Sequence, residues 1–468
     1  MGFALSFESV SEFTDHVVRA AGGECGHVQC GADGGTSAGD AAWPLRLSTV
    51  TVHRRHADRA TEAGLTGLRF SDVGDGSIIR VDDRDLVNFG NCSYLGLSVD
   101  PRLKQGAIEA IERFGPLYAS SQMYAAVELY NELEQLLAEM TDARAVVLPP
   151  TTTLGHLATL PSLVGTDDVV VLDSHSHASL QLTVQVLAGR GIQICPVPHN
   201  DMRRLTEAVD EAASRHPRVW YIADGVYSMM GDFAPVEEIS ALKNCYPNLY
   251  VFYDDAHGFS WRGEKGRGFV LENVTLDEQT IVAAGLGKAF GTGGAAIFFG
   301  DPELALTVKR IGGPMTFSGP IHPPTLGAAI AAARIHLSDE YLILRRRMAD
   351  QIKLVTALLA EHRLPVTSWA PTPIWQVRVG DFDRMLELTR RMLDDGYYVN
   401  PTAFPVVPHG HAGIRFTHTL NNTDDQIRGM VERLSANYRA VVGEPDTVVD
   451  LTEMEGGPGV VSASSAGA

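Results

Sequence analysis

Several large classes of protein leave marks that this chain lacks. Its five cysteines (Cys25, Cys30, Cys92, Cys195 and Cys245) are odd in number and never spaced Cys-x-x-Cys, which leaves no disulfide framework. Cys25, His27 and Cys30 cluster in a Gly-rich stretch, GGECGHVQCGADGG, without the second ligand pair that zinc spacing rules require, so no metal is expected. No uncharged apolar run reaches the roughly 18 residues of a membrane helix. The first 20 residues carry Glu8, Glu12 and Asp15 and no basic start, unlike a secretory signal. Met1-Gly2 with Ser6 fits a myristoylation pattern that short sequences often match by chance. Basic residues are also scarce: 38 Lys and Arg stand against 57 Asp and Glu, a net charge of −19. That balance argues against a nucleic-acid or anionic-membrane partner, because phosphate binding depends on Lys and Arg displacing counterions. The cytoplasm is the expected location.

What is present is a soluble, core-forming composition, 45% apolar and 20% charged. Residues 1–50 read as a partly flexible N-terminal extension and 442–468 as a disordered acidic tail. Nearly half of the acidic excess lies in these flanks, −4 over residues 1–50 and −5 over 440–468, so it speaks for solubility more than for a site. Between them the boundaries expected are an N-terminal segment at 51–90, a large domain at 91–325 and a smaller C-terminal domain at 326–441. In the large domain, short β-branched runs alternate with amphipathic stretches: AVVLP, VVVLD, IQICPV, RVWYIAD, LYVFYDD, IVAAG and AAIFFG. Their near-continuous apolarity suits strands buried on both faces. The expected fold is α/β, a mostly parallel seven-stranded sheet between helices. Helices are expected at 101–114, 129–141, 154–163, 202–214 and 236–244, and a long helical region from 325 to about 361. PIWQVRV, GIRFTHT and helices at 382–395 and 424–439 form the smaller α+β unit.

Reactive residues fall at the carboxyl ends of these strands, where open α/β sheets place their ligands. VVVLD ends in Asp173 and runs into His175 and His177; LYVFYDD contains Asp254 and runs into His257; IVAAG runs into Lys288. A carboxylate, two imidazoles and an amine would meet on one rim. Singly, each has a plainer reading: a histidine after a strand is usually a cap, and a lysine among glycines a solvated loop residue.

Together they resemble a family. SYLGL (93–97), LDSHSHAS (172–179), YSMMGDFAPVEEI (227–239), DDAHGFSWRGEKGRG (254–268), GLGKAFGTGG (285–294), FSGPIHPP (317–324) and GIRF (413–416) resemble fold-type I pyridoxal phosphate enzymes of aminotransferase class I/II. Within these the chain is most similar to the α-oxoamine synthases, over about residues 85–441. The resemblance implies pyridoxal 5'-phosphate as cofactor, with Lys288 as its Schiff-base lysine and the group that moves the Cα proton. Asp254 would face the pyridine nitrogen and sustain the electron sink. His257 would hydrogen-bond the ring hydroxyl with Ser228 beside it, and His177 would stack on the ring. Thr151, Thr152 and Thr153, just before a helix, offer the phosphate an N-terminal anion site, or simply cap the helix. Ser318 would reach the other subunit's phosphate across a homodimer interface. Arg415 would pair with the substrate carboxylate, with a surface salt bridge as its alternative, and Ser93 would also face the substrate.

Departures from the family pattern bear on the reaction. The usual Gly-rich segment with an arginine is GPLYASSQMYAAVELYNELE (115–134); a histidine is Tyr130; the Ser-Gly-aromatic turn is Thr151–Thr153; an Asn is His156. A Thr and a Ser are Gly285 and Gly287, an Asn is Ser93, and the His of a C-terminal pair is Asn422. Cofactor chemistry is kept while substrate recognition has moved, and the missing basic cluster argues against acyl-CoA. The reading is a transferase that forms a Cα carbanion from an amino acid and joins it to an unidentified second substrate. Alternatives are Cγ elimination, replacement or annulation with S-adenosylmethionine as donor, in a pocket changed by His156, Tyr124 and Tyr130. A simple aminotransferase and a non-enzymatic binding protein complete the set.

Overall fold

A computed structural model describes residues 47–404 and 406–445. The Cys25–Cys30 cluster, the myristoylation pattern and the tail beyond 445 lie outside the described residues.

After a helix at Leu47–Glu62 come three short strands, β1 (Phe70–Asp72), β2 (Ile78–Val81) and β3 (Arg84–Asn88). The large sheet follows with β4 (Ala145–Val147), β5 (Val169–Asp173), β6 (Gln193–Val197), β7 (Val219–Asp224), β8 (Leu249–Asp254), β9 (Thr280–Gly285) and β10 (Ala295–Phe299). Its order is β4-β10-β9-β8-β7-β5-β6. Strands β5 to β9 run parallel, and β10 is antiparallel to both neighbours. Every residue of β5, β7, β9 and β10 is buried, which is why these strands lack inside-outside alternation. Side chains such as Trp220, Phe252 and Phe298 are fully buried, each contributing on the order of 2–3 kcal/mol.

The expected strands and the helices Pro101–Phe114 and Leu129–Thr141 are found within a residue or two. Among the helices that were not expected are Ala178–Gly189 and Pro302–Ile311. In the first, ASLQLTVQVLAG, apolar residues cover both the buried face (Leu180, Val184, Leu187) and the exposed one (Leu182, Val186), so no stripe stands out. The expected long helix from 325 is two, Pro323–His336 and Glu340–Glu361. The break falls where the Ser338 hydroxyl donates to the Ile335 carbonyl, a turn bond that competes with helix continuation.

The small unit contains β11 (Ile374–Gly380), β12 (Tyr397–Tyr398), β13 (Asn400–Thr402) and β14 (Ala412–Thr417). Strands β11, β14 and β13 form an antiparallel sheet, while β12 pairs in parallel with β3. Its last helix, Asp424–Val441, starts with a capping box between Thr423 and Gln426. The N-terminal segment is stitched to this unit: Thr417 N–H donates to the Phe89 carbonyl and Leu420 N–H to the Tyr94 carbonyl. That attachment carries Cys92 and Tyr94 to the carboxyl ends of the large sheet.

Candidate active site

At the carboxyl ends of β5, β7, β8 and β9 lies a cavity of about 250 Å³. Thr151, Thr152 and Thr153 line one end, His177 and Ser179 one wall, and Asp224, Asp254, His257 and Lys288 the rest. A groove of about 720 Å³ between Pro101–Phe114, Leu129–Thr141 and Pro323–His336 is larger, but mixed charges such as Arg102, Glu109 and Arg334 line it and no reactive set converges there.

Lys288 is presented by the tight turn that joins β9 to β10, closed by Gly291 N–H to the Lys288 carbonyl and Leu286 N–H to the Gly294 carbonyl. Gly291 has φ +82, and a Cβ there would sit 2.7 Å from the Ser98 nitrogen, so only glycine fits. Burial lowers the Lys288 pKa, with nearby Asp254 opposing, which favours the neutral, nucleophilic amine.

Asp254 ends β8 and accepts the Ala256 N–H at 3.0 Å. Beside it in register is Asp224 at the end of β7, which accepts the His177 N–H at 3.0 Å. Burial, then the adjacent Asp254, raises the Asp224 pKa well above the usual carboxylate range. One of two neighbouring acids is thereby kept neutral.

His257 Nδ1 lies 2.7 Å from the Tyr94 hydroxyl. Burial holds the Tyr94 phenol protonated and the His257 ring neutral. The contact joins a neutral phenol to a neutral imidazole, and which of the two donates depends on the ring tautomer. His177 caps the helix Ala178–Gly189, its Nδ1 accepting the Ser179 N–H.

The three threonines meet both readings given to them. Thr151 caps Thr152–Leu163, accepting the Leu154 N–H at 3.2 Å, and all three line the cavity. A Cβ at Gly285 would lie 3.1 Å from Thr152 Oγ1, so the hydroxyl absent at 285 is offset by one from the opposite side. At Gly287 a Cβ would make only an ordinary contact with the Thr292 carbonyl oxygen at 3.9 Å.

Not every expected residue lines the cavity. Arg415 on β14 is buried, its Nε donating to the Ser228 carbonyl at 2.8 Å and its guanidinium 3.9 Å from Cys92 Sγ. It is no surface salt bridge. Ser228 contributes that carbonyl rather than a cavity hydroxyl. Ser93 Oγ accepts the Ser98 N–H at 3.4 Å. Ser318 donates to its own Pro314 carbonyl, beside a Phe317 that is 90% exposed.

Two expectations are corrected. Asp173 and His175 do not join the rim with Lys288: Asp173 accepts the His175 and Asn200 N–H groups and lies 3.1 Å from His199 Nδ1, while His175 stacks on His199. Tyr124 and Tyr130 do not line a changed pocket either, since Tyr124 is 82% exposed and the Tyr130 hydroxyl accepts the Ile321 N–H at 2.7 Å. Asn422 closes its own loop, accepting the Thr419 N–H. Asp224, Tyr94 and Ser179 were not singled out from sequence. Asp224 ends an expected strand, the same signal that marked Asp254, whereas Tyr94 and Ser179 sat unassigned inside motifs.

Comparison with known proteins identifies the family. The model of a family described as aminotransferase class I and II matches residues 84–434. An 8-amino-7-oxononanoate synthase of Geobacter sulfurreducens is 32% identical over 376 residues, 80% of this chain and 94% of the relative. The same enzyme of Symbiobacterium thermophilum is 32% identical over 74% of this chain and 87% of its own. Among solved structures, the K265A variant of a serine palmitoyltransferase from S. paucimobilis superposes with a TM-score of 0.76 at 23% identity, covering 85% of this chain and 99% of that one, which supports the fold. The matched span, the strand-end lysine and carboxylate, and the α-oxoamine synthase relatives converge on one assignment: the chain belongs to the aminotransferase class I and II family.

Proposed function

We propose that the cavity holds pyridoxal 5'-phosphate and that the protein is a transferase that joins the Cα of an amino acid to an electrophilic second substrate. The observation that carries this reading is the placement of the Lys288 amine and the Asp254 carboxylate in one small cavity with a helix N-terminus at its end. The residues fit the group: an amine of lowered pKa for its aldehyde, an acid for its ring nitrogen, and free N–H groups with Thr hydroxyls for its phosphate. When bound, the cofactor accepts the electrons left as the amino acid loses its Cα proton.

The chain's own residues do the rest. Lys288, its pKa lowered by burial, takes and returns the Cα proton. His257 offers its imidazole to the ring oxygen, and His177 covers one ring face. Arg415, which has no carboxylate partner among the described residues, is the anchor for the substrate carboxylate. The relatives, named for making an amino ketone, support carbon–carbon bond formation. Ser318 and the exposed Phe317 suit contact with a second copy in a homodimer, with Ser318 reaching the partner's phosphate. Among the described residues no helix is long and apolar enough to cross a membrane, in keeping with a cytoplasmic enzyme.

The purified protein is expected to be yellow, to bleach with borohydride and to lose its colour as Lys288→Ala. A colourless wild type that takes up no added cofactor overturns the reading. Candidate amino acids are then screened for deuterium exchange at Cα, with acyl thioesters and S-adenosylmethionine as second substrates. Release of a keto acid alone would indicate an aminotransferase instead.

A further inference from the structure

Between His199 and Arg415 runs a short hairpin that the reading above leaves unused. It follows β7 over residues 225–234, with Val226 and Phe233 bridged in antiparallel fashion. Tyr227 N–H donates to the Asp232 carbonyl, Gly231 N–H to the Tyr227 carbonyl and Ala234 N–H to the Gly225 carbonyl. The tip rests on the small sheet. Gly231, at φ +71, comes so near β11 that a Cβ there would overlap the Ile374 carbonyl oxygen, and Thr372 Oγ1 lies 2.9 Å from the Gly231 carbonyl oxygen. At this tip the Ser228 carbonyl accepts the Arg415 Nε–H at 2.8 Å.

The base of the hairpin is held from the large sheet. Asp232 Oδ2 lies 2.7 Å from His199 Nε2, and Asn200 Nδ2 donates to the Phe233 carbonyl at 2.9 Å. Through its other nitrogen His199 meets Asp173 Oδ1, at the end of β5, at 3.1 Å. Asp173 Oδ2 accepts the Asn200 N–H at 3.0 Å, and the Tyr227 and His175 rings pack against the imidazole. Ionised carboxylates only accept hydrogen bonds, so a ring that serves both acids carries a proton on each nitrogen. Burial opposes that charge, and the hydrogen bonds and charges of Asp173 and Asp232 outweigh it. A cation thus joins two acids that belong to different segments.

We propose that His199 is a positioning residue for Arg415: by clasping Asp232 to Asp173 it fixes the hairpin whose Ser228 carbonyl sets the guanidinium of the substrate-carboxylate anchor. A guanidinium fork grips a carboxylate through two parallel bonds only when its plane is correctly set. The N–H given to Ser228 sets that plane, and a hairpin held at both ends keeps the carbonyl in place. His199 is not among the residues that line the cavity, so its loss acts on the grip of the carboxylate and not on the proton moved by Lys288. The consequence for binding rests on the carboxylate-anchor reading above; the clasp itself does not.

Hydrogen exchange and amine titration test the two halves. In the cofactor-free full chain, His199→Gln is expected to speed exchange over residues 225–234 by more than over the helix Asp424–Val441, which reports global opening. Equal acceleration in the two, or none, overturns the clasp. In cofactor-loaded protein, glycine, L-alanine and L-serine are titrated by the visible band against methylamine, ethylamine and ethanolamine, the same amines without the carboxylate. His199→Gln is expected to weaken the amino acids about tenfold and to leave the simple amines as they were. In an Arg415→Lys background the same change should add nothing further. An unchanged preference for the amino acids, an equal loss for the amines, or a full effect in Arg415→Lys overturns the positioning role. If the wild type takes up no cofactor, or Arg415→Lys alone leaves the preference unchanged, the reading above fails and exchange over 225–234 decides the clasp. Should His199→Gln not fold, Asp232→Asn, which keeps the shape of the side chain, takes its place in both halves.

Discussion

Two histidine–carboxylate clusters occupy the same end of the sheet, yet their charge states are opposite. In the outer one, His199 bridges Asp173 at 3.1 Å and Asp232 at 2.7 Å, with the Tyr227 ring edge-on to it. Burial opposes its charge, but the two carboxylates outweigh it and push the pKa up to about 9. In the inner one, His156 has one off-line carboxylate and complete burial, and its pKa falls to about 4. The difference shows that a neighbouring acid does not by itself charge a histidine; the number and alignment of acceptors must exceed the desolvation penalty. The outer cluster ties the loops after β5, β6 and β7 together, while the inner one lies against the reactive groups.

The comparison can be broken at several points. The largest effect is expected at the inner acid: Asp254→Ala should reduce turnover by about 100-fold or more, with cofactor uptake measured separately by absorbance. At the outer cluster, His199→Phe leaves Asp173 and Asp232 facing each other without a cation, and should lower unfolding free energy by about 3 kcal/mol in denaturant titration. Turnover per folded molecule should change far less than in Asp254→Ala. A turnover loss as large as that of Asp254→Ala would show the outer cluster to be part of the reaction.

Acid and base should separate the two as well. His199 has a folded pKa of about 9, above the ordinary 6.5, so its contribution is complete below pH 6.5 and is lost as pH rises towards 9. His156, depressed to about 4, has the opposite sign: stability is complete above pH 6.5 and falls as pH drops towards 4. Melting temperature followed across this range should therefore slope downwards on both sides, and His199→Phe should flatten the alkaline slope alone. The smallest effect belongs to the helix end that both clusters leave untouched. Thr151→Ala removes one cap bond and should cost about 1 kcal/mol in the cofactor-free protein.

Much of this architecture was legible in the residues. Seven apolar runs marked seven strands, and the rule that ligands gather at their carboxyl ends led to Lys288, Asp254, His257 and His177. The helix Ala178–Gly189 was not legible because apolar residues on both faces erase the stripe. The attachment of the N-terminal segment was also hidden, since β3 and β12 are far apart in sequence and each is too short to carry a pattern.

Residue types and their periodicity determined the sheet and most of the reactive rim, and the resemblance of its motifs pointed to the family. Only the tertiary structure decided which side each strand-end residue serves. Asp173, His175 and His177 follow one strand within five positions, yet Asp173 and His175 turn outwards to His199, while His177 turns inwards over the cavity. The reason is physical: beyond a strand's last ladder bond the chain is no longer held to the sheet, and its groups go to whichever buried partners the neighbouring segments supply. Those partners are His199 for Asp173 and His175, and Asp224 for the His177 N–H, whose convergence is a property of the folded chain.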